Sequence, residues 1–349
     1  MIGVGVLIFN PFDDPFHLER VETGLKSLVE AALHSRTKVE LLFLLNTSFA
    51  QGTIIPGVGP VTEALVKKLA KKHEFITVES YSYSESMMVK GYNYILKKLH
   101  KSKKYSYASV FADDYIVPID WFNTVIEEFC LFKDADFVMP STSFVTHKNL
   151  LVPLGKHANW DYDVREETVV GVKSGVEQKH ITDLAARFKT WRTIKYVHSP
   201  SFETTVFTAD CLSRFGYLCD EYYSVFYNTE YFRNLVHRRA NGYISRRAFV
   251  FHYGKGGTAA LYKDKGDEKY EGSPAEEFLK RDVALFNLRN NEQVGFWWKN
   301  ENNGNSPQLT DEDIIAIVEG FDRQDRQNRV ERKLRNIFGR FVKWITKKS

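Results

Sequence analysis

The chain has 349 residues, 43% of them apolar and 14% aromatic, enough to fill a core and too apolar for a disordered chain. Its net charge of +4 is uneven: residues 323–349 carry ten Lys/Arg against two Asp/Glu, a balance of +8 that leaves −4 on the other 322 residues. A body of that sign is not built to grip nucleic acid through many phosphate contacts, three scattered cysteines (Cys130, Cys211, Cys219) make neither a metal spacing nor a disulfide framework, and no apolar run reaches the roughly 18 residues that span a bilayer.

Residues 4–9 read as a buried strand. A strand so close to Met1, without the basic start and small-residue cleavage site of a signal peptide, predicts a cytoplasmic protein. Leu18, Val21, Leu25, Leu28, Val29 and Ala32 recur at helical spacing and predict a helix over 17–33. A second continuous apolar strand follows at 39–45, then a helix at 61–72, a strand at 75–78 and a helix at 86–100. The strand at 109–111 stops at Asp113–Asp114, and a helix at 120–132 and a strand at 137–139 come after it. Residues 145–198 break the alternation, being polar and aromatic, and read as an insertion with a helix near 182–190. The pattern resumes with a strand at 204–208, helices at 209–215 and 229–240, a strand at 249–252 and a glycine-rich stretch at 254–257. A helix at 274–285 has Pro274 near its first turn, and 300–308 reads as an Asn/Gly-rich linker.

Continuous apolar strands separated by helices predict an α/β fold: a mostly parallel sheet covered on both faces. Three units are expected: a main domain at 1–258, an extension at 259–322 and a basic helix at 323–349. In such sheets ligands sit at the carboxyl ends of the strands, so the loops at 10–14, 46–52 and 112–118 are where chemistry is expected.

Asp113 and Asp114 leave an apolar strand together. Hard divalent cations take oxygen ligands, and Mg²⁺ is often held by one or two carboxylates plus substrate phosphates. The pair can equally cap the turn and helix that follow. His252 ends an apolar strand and is either a ligand or a buried structural residue. Gly254–Thr258 offers bare backbone N–H groups to an anion but lacks Walker spacing, so it is a turn, or a lid over a ligand. Asp13 and Asp14 suit an N-terminal cap better than a ribose contact, and Trp160, Trp191, Trp297 and Trp298 suit core packing better than sugar stacking.

The run Phe111-Ala112-Asp113-Asp114-Tyr115-Ile116-Val117-Pro118, with Trp121 beyond it, resembles the DxD region of inverting glycosyltransferase family 2. Other landmarks follow in that family's order. Residues 6–10 resemble the first strand with its Asn10 loop, 44–48 the second-strand motif with Asn46, and 91–93 the helical segment bearing Asn93. Residues 220–223, 228–230 and 238–243 are similar to the acceptor-side motif, its helix and the closing turn, and 250–254 to the strand ending in histidine.

The resemblance covers about residues 2–258 and implies a GT-A (Rossmann-like, nucleotide-diphospho-sugar transferase) fold. It implies transfer of a sugar from a nucleoside diphosphate sugar to a hydroxyl of a glycan or lipid-linked acceptor, with Mn²⁺ or Mg²⁺. Asp113 becomes the principal metal carboxylate with Asp114 assisting, His252 completes the metal or diphosphate site, and Asn10, Asn46 and Asn93 join the donor site. Glu230 becomes the general base, with Glu221 the competing candidate. Phe111 stands where the family has its first acid, and Asn46 or Leu45 where it has an aspartate. These departures leave a non-catalytic glycan- or partner-binding scaffold as the alternative; a nucleotidyltransferase ranks lower because residues 10–14 supply no basic glycine-rich loop. From Val330, apolar residues at helical spacing on a basic background predict a helix that lies on an anionic membrane surface, at the inner face of the membrane, or one that docks on the protein. No nucleic-acid partner is expected.

Overall fold

The computed structural model describes residues 1–10, 13–46, 58–81, 88–142, 176–189, 193–195, 202–222, 227–253 and 274–290. Strands are β1 (Ile2–Ile8), β2 (Val39–Asn46), β3 (Ile76–Tyr81), β4 (Tyr107–Ala112), β5 (Tyr115–Ile116), β6 (Phe137–Thr142), β7 (Ile194–Lys195), β8 (Val206–Thr208) and β9 (Gly242–His252). Helices are α1 (Pro15–Leu33), α2 (Pro60–Ala70), α3 (Met88–Lys101), α4 (Trp121–Leu131), α5 (Gln178–Phe188), α6 (Ala209–Phe215), α7 (Tyr227–His237) and α8 (Pro274–Asn290). Most of the insertion expected at 145–198, the 254–258 loop, the four tryptophans named with it, the 300–308 linker and the basic helix at 323–349 lie outside the described residues.

The strands join in one sheet in the order β3-β2-β1-β4-β8-β6-β9-β5, with β7 on β9. β1, β2, β3 and β4 are mutually parallel, and β6 runs parallel to β9. β8 is reversed between β4 and β6. The expected α/β class with a mostly parallel, helix-covered sheet is what the chain adopts. Every residue of β1 is buried, as a strand with both faces covered requires. One face packs Val21, Leu25 and Leu28 of α1 with Trp121, Phe122 and Phe129 of α4. The other packs Tyr92 and Ile95 of α3 with Phe232 of α7 and Phe286 of α8, so the C-terminal extension adds to this core.

Local chemistry sets the element ends. Asp14 caps α1, accepting from the N–H groups of Phe16 and His17 at 3.0 Å each, and Pro15 fills the first helical position, where its missing N–H is not needed. α7 stops three residues before the expected end at 240. Arg239 turns left-handed (φ 62°), and Arg239 N and Ala240 N bond back to Val236 O at 3.0 Å and Leu235 O at 2.9 Å, a Schellman termination.

The strand expected at 249–252 begins at Gly242 instead. Its register against β6 jumps from Pro140↔Ser245 to Ser141↔Phe249, a bulge that broke the sequence pattern. Glu128, wholly buried, receives Ser245 Oγ at 3.1 Å and Thr193 Oγ1 at 2.7 Å, with Arg247 Nη1 at 3.5 Å. These contacts fix the bulge, and beyond it β9 reaches β5, pairing His252 with Tyr115.

α1 sits directly on the turn after β4. A Cβ at Gly24 would lie 2.7 Å from Tyr115 O and 3.0 Å from Asp113 O. Replacing a mid-helix glycine by alanine ordinarily gains up to about 1 kcal/mol. Here the added methyl meets backbone that cannot swing aside, and overpacking costs about 1–3 kcal/mol. Gly24→Ala is expected to lower the unfolding free energy, read as an earlier urea midpoint; a later midpoint would show that α1 is free to move off the turn.

Candidate active site

Chain order reverses between β1 and β4: β2 lies on one side of β1 and β4 on the other. The crevice outside the carboxyl ends of strands at such a switch point is where ligands bind in open α/β sheets. Phe9–Asn10 leave β1 there, Asn46 ends β2, and Asp113–Asp114 leave β4.

Both aspartates are buried, Asp113 to 5% exposure and Asp114 to 3%. Asp113 Oδ2 accepts from Phe9 N at 2.8 Å and lies 3.3 Å from His17 Nε2, which is also 3.1 Å from Phe9 O. Facing two acceptors, Nε2 carries a proton. Burial pulls the His17 pKa down, but the charge and hydrogen bond of Asp113, with Asp114 behind it, outweigh that and leave it above the ordinary histidine value. Asp113 therefore clasps the ends of β1 and β4 together, under α1.

Asp114 has a different partner. Its Oδ1 lies 3.1 Å from His252 Nε2, and its backbone oxygen accepts from Tyr253 N at 3.1 Å. The His252 ring stacks on Tyr115, with centroids 4.0 Å apart and planes 11° apart. Burial pushes the Asp114 carboxyl up, yet the adjacent His252, together with His17 and Arg20, brings it below the ordinary aspartate value. His252 is thus paired with Asp114 and not with Asp113, the carboxylate the family resemblance put first.

The pair fits a hard divalent cation. Two ligands each about 2.1 Å from one octahedral ion stand about 3 Å apart, the separation of Asp114 Oδ1 and His252 Nε2. Among the described residues no group of three or more His, Cys, Asp and Glu side chains gathers to hold an ion. The protein would contribute these two ligands, and substrate phosphate and water the rest. Phe111, standing in for the family's first acid, is wholly buried and packs edge-on against Trp121 at 5.3 Å and Tyr115 at 5.8 Å.

The three asparagines differ. Asn46 is buried at the end of β2, and its Oδ1 has no hydrogen-bond partner among the described residues. Asn10 is engaged: Nδ2 donates to Thr62 Oγ1 at 3.0 Å, and Oδ1 accepts from Asp14 N at 3.1 Å. Asn93 exchanges both polar atoms with the backbone of Leu218, at 2.8 and 3.0 Å, and its Nδ2 also reaches Asp220. Those contacts tie α3 to the segment before α7.

Glu230 is buried near the start of α7. It accepts from Tyr222 Oη at 2.5 Å, and both its oxygens face Arg289 Nε of α8, at 2.9 and 3.1 Å. Exposed Glu221 meets Arg289 Nη1 at 3.1 Å. Arg289 Nε thus holds the Glu230 carboxylate through both oxygens. The sequence reading missed Arg289, and it missed His17, whose signal is a polar residue on the stripe that continues through Val21, Leu25 and Leu28.

No protein-family model matches the chain, and no curated protein matches it. Solved structures similar to it include S. aureus TarS (TM-score 0.43, 10% identity, over 72% of this chain), of which the chain spans only 36%. Others are S. aureus TarS 1-349 in complex with UDP-GlcNAc (TM-score 0.42, 10% identity, 91% of this chain and 79% of that one), and the mannosyltransferase PcManGT from Pyrobaculum calidifontis in complex with GDP-Man and Mn²⁺ (TM-score 0.44, 14% identity, 81% of this chain and 69% of that one).

Asp13 frames the crevice by capping a helix other than the next one. Left-handed at φ 49°, it accepts from Val61 N at 2.9 Å, Thr62 N at 2.8 Å and Thr62 Oγ1 at 2.7 Å, at the start of α2. The cap position, Gly59, has no side chain to do so, and a Cβ there would lie 2.4 Å from the Asp13 carboxylate. Burial raises the Asp13 pKa, but these three donors outweigh it and hold the pKa below the ordinary 3.8. A depressed acid stabilises the fold above its unfolded pKa and loses that contribution as pH falls through the folded value. Asn tolerates the same φ but offers one acceptor oxygen. Asp13→Asn is expected to cost about 0.5–2 kcal/mol at neutral pH, with the gap to wild type closing below about pH 4. Thermal melts from pH 3 to 7 check this; a gap independent of pH would rule out a carboxylate cap.

Proposed function

We propose that the chain is a GT-A-type glycosyltransferase that transfers a sugar, with inversion, from a nucleoside diphosphate sugar to a hydroxyl of a glycan or lipid-linked acceptor. The observation that carries the reading is the Asp114–His252 pair, 3.1 Å apart, at the switch-point crevice. It stands where the sequence resemblance to glycosyltransferase family 2 puts a metal and a diphosphate. The Oδ1 of buried Asn46, without a partner among the described residues, supports it, because a buried acceptor at a strand end is ready to receive a donor N–H from a nucleobase.

In this reading Asn46 orients the base, and Asp114 with His252 holds Mn²⁺ or Mg²⁺. When bound, the ion neutralises charge on the departing diphosphate. Asp113 keeps β1 and β4 in register beneath the site through Phe9 N and His17. The acceptor hydroxyl must lose a proton as it attacks, and the resemblance offers Glu230 or Glu221 to take it. The basic segment 323–349 would seat the enzyme on an anionic membrane surface, where a lipid-linked acceptor resides. No helix among the described residues is long and apolar enough to cross a membrane.

The scaffold alternative rests on two observations: Phe111 is given over to the core, and Glu230 is engaged by Arg289. A thermal-shift panel of UDP, GDP and dTDP, with and without Mn²⁺, separates the two readings. A ligand at 100 times its Kd stabilises by about 2.7 kcal/mol, which moves the melting point by several degrees. The expected result is a Mn²⁺-dependent shift for at least one nucleotide, lost in Asp114→Asn and in His252→Ala. A nucleotide shift that ignores Mn²⁺ and both substitutions would remove the metal pair, and no shift with any nucleotide would remove the donor site.

A further inference from the structure

β8 runs against β4 and β6, its neighbours on either side, so its beginning, not its end, lies at the crevice. Its ladder with β4 pairs Tyr107 with Thr208, Ala108 with Phe207 and Ser109 with Val206. Thr204 N donates to Val110 O at 2.7 Å, so the chain before β8 continues along β4 toward Asp113. Glu203 comes next in that direction. It is partly exposed, and its Oε1 accepts the hydroxyl of Tyr227, the first residue of α7.

Thr204, beside it, carries two marks of a site. Its φ is +71°, a conformation β-branched residues rarely adopt, and its buried Oγ1 has no partner among the described residues. Strain of this kind costs about 1–3 kcal/mol and persists where the surroundings over-determine it, often at functional sites.

We propose that Glu203, oriented by Tyr227, is the carboxylate that takes the acceptor's proton, an assignment that rests on the glycosyltransferase reading above. The acceptor oxygen bonds to the anomeric carbon as that carbon's bond to the diphosphate oxygen breaks. The bond's electron pair leaves with the nucleoside diphosphate, and the hydroxyl proton passes to the Glu203 carboxylate and then to water. Glu230 instead anchors α8 to α7 through Arg289. Glu203 has what a base needs: a partly open carboxylate, set in direction by the Tyr227 hydroxyl.

The test uses water as acceptor: nucleoside diphosphate release from UDP-glucose, UDP-N-acetylglucosamine and GDP-mannose with Mn²⁺, for wild type, Glu203→Gln, Glu203→Asp and Glu230→Gln. Glu203→Gln is expected to lower kcat by about 10²–10⁴-fold, to erase the acid limb of the kcat–pH profile, and to leave the melting point and the Mn²⁺-dependent nucleotide shift at wild-type values. Glu203→Asp is expected to keep the acid limb with a smaller loss of rate. Wild-type kcat in Glu203→Gln, or a loss of rate that comes with lost nucleotide binding or lost fold in both Glu203 variants, overturns the assignment. So does an acid limb lost in Glu230→Gln and kept in Glu203→Gln. A wild type that binds nucleotide with Mn²⁺ but releases none from any of these donors overturns the base and leaves the donor site standing. One that neither binds nor releases removes both.

Discussion

Two adjacent carboxylates are taken out of water at the end of β4, and the rest of the site is arranged around that fact. A buried ion left uncompensated costs several kcal/mol, so each aspartate needs a donor of its own. Asp113 is answered by Phe9 N and His17, Asp114 by His252. The donors come from the end of β1, from α1 and from β9, the last of these far along the chain from the first two. Charge compensation therefore draws the first strand, the first helix and the last strand onto one turn. It also explains the tight seat of α1: Asp14 fixes where the helix begins, and Gly24 lets it rest on the carbonyls of Asp113 and Tyr115 with His17 facing the first carboxylate.

Delivering His252 takes a distortion of the sheet. β9 starts beside β6 and ends beside β5, and the bulge between Ser245 and Phe249 re-aims it. Wholly buried Glu128 organises that bulge through Ser245, Thr193 and Arg247. A further buried carboxylate, away from the crevice, thus indirectly places the histidine that pairs with Asp114. Helix α5 closes the same region. Gln178 Nε2 donates to Ser27 O at 2.9 Å and Val117 O at 3.0 Å, binding α1 to the loop that follows β5.

Much of this was legible in the sequence because burial writes apolar runs. The strands and helices of the first half, the exit of Asp113–Asp114 from a strand and the strand ending in His252 could all be read from composition and spacing. What stayed hidden depended on direction or on distant partners. β5 is two residues long, too short to make a pattern. The bulge put Arg246 and Arg247 inside β9 and cut the expected strand to its second half. Glu203 drew no notice because only the reversed course of β8 brings a residue before a strand to the carboxyl ends of the others. Asn10 and Asn93 were expected at the donor; a sequence does not show that Thr62 and Leu218 already occupy their amides.

The division between the two aspartates bears on the phenylalanine at position 111, where the sequence resemblance expects an acid. Phe111 fills the core against Trp121 and Tyr115, so nothing acidic projects from the last turns of β4 before Asp113. Asp113 Oδ2 takes both Phe9 N and His17, while Asp114 Oδ1 takes His252. Asp114 ionised is an acceptor only, so the nitrogen 3.1 Å away must carry a proton in this arrangement. A cation at that nitrogen would take the proton's place between the two side chains. The pair can be bridged by a proton or by a hard cation at nearly the same separation, and the stacked Tyr115 ring holds His252 in place for either. A pair held in this way keeps its shape without an ion.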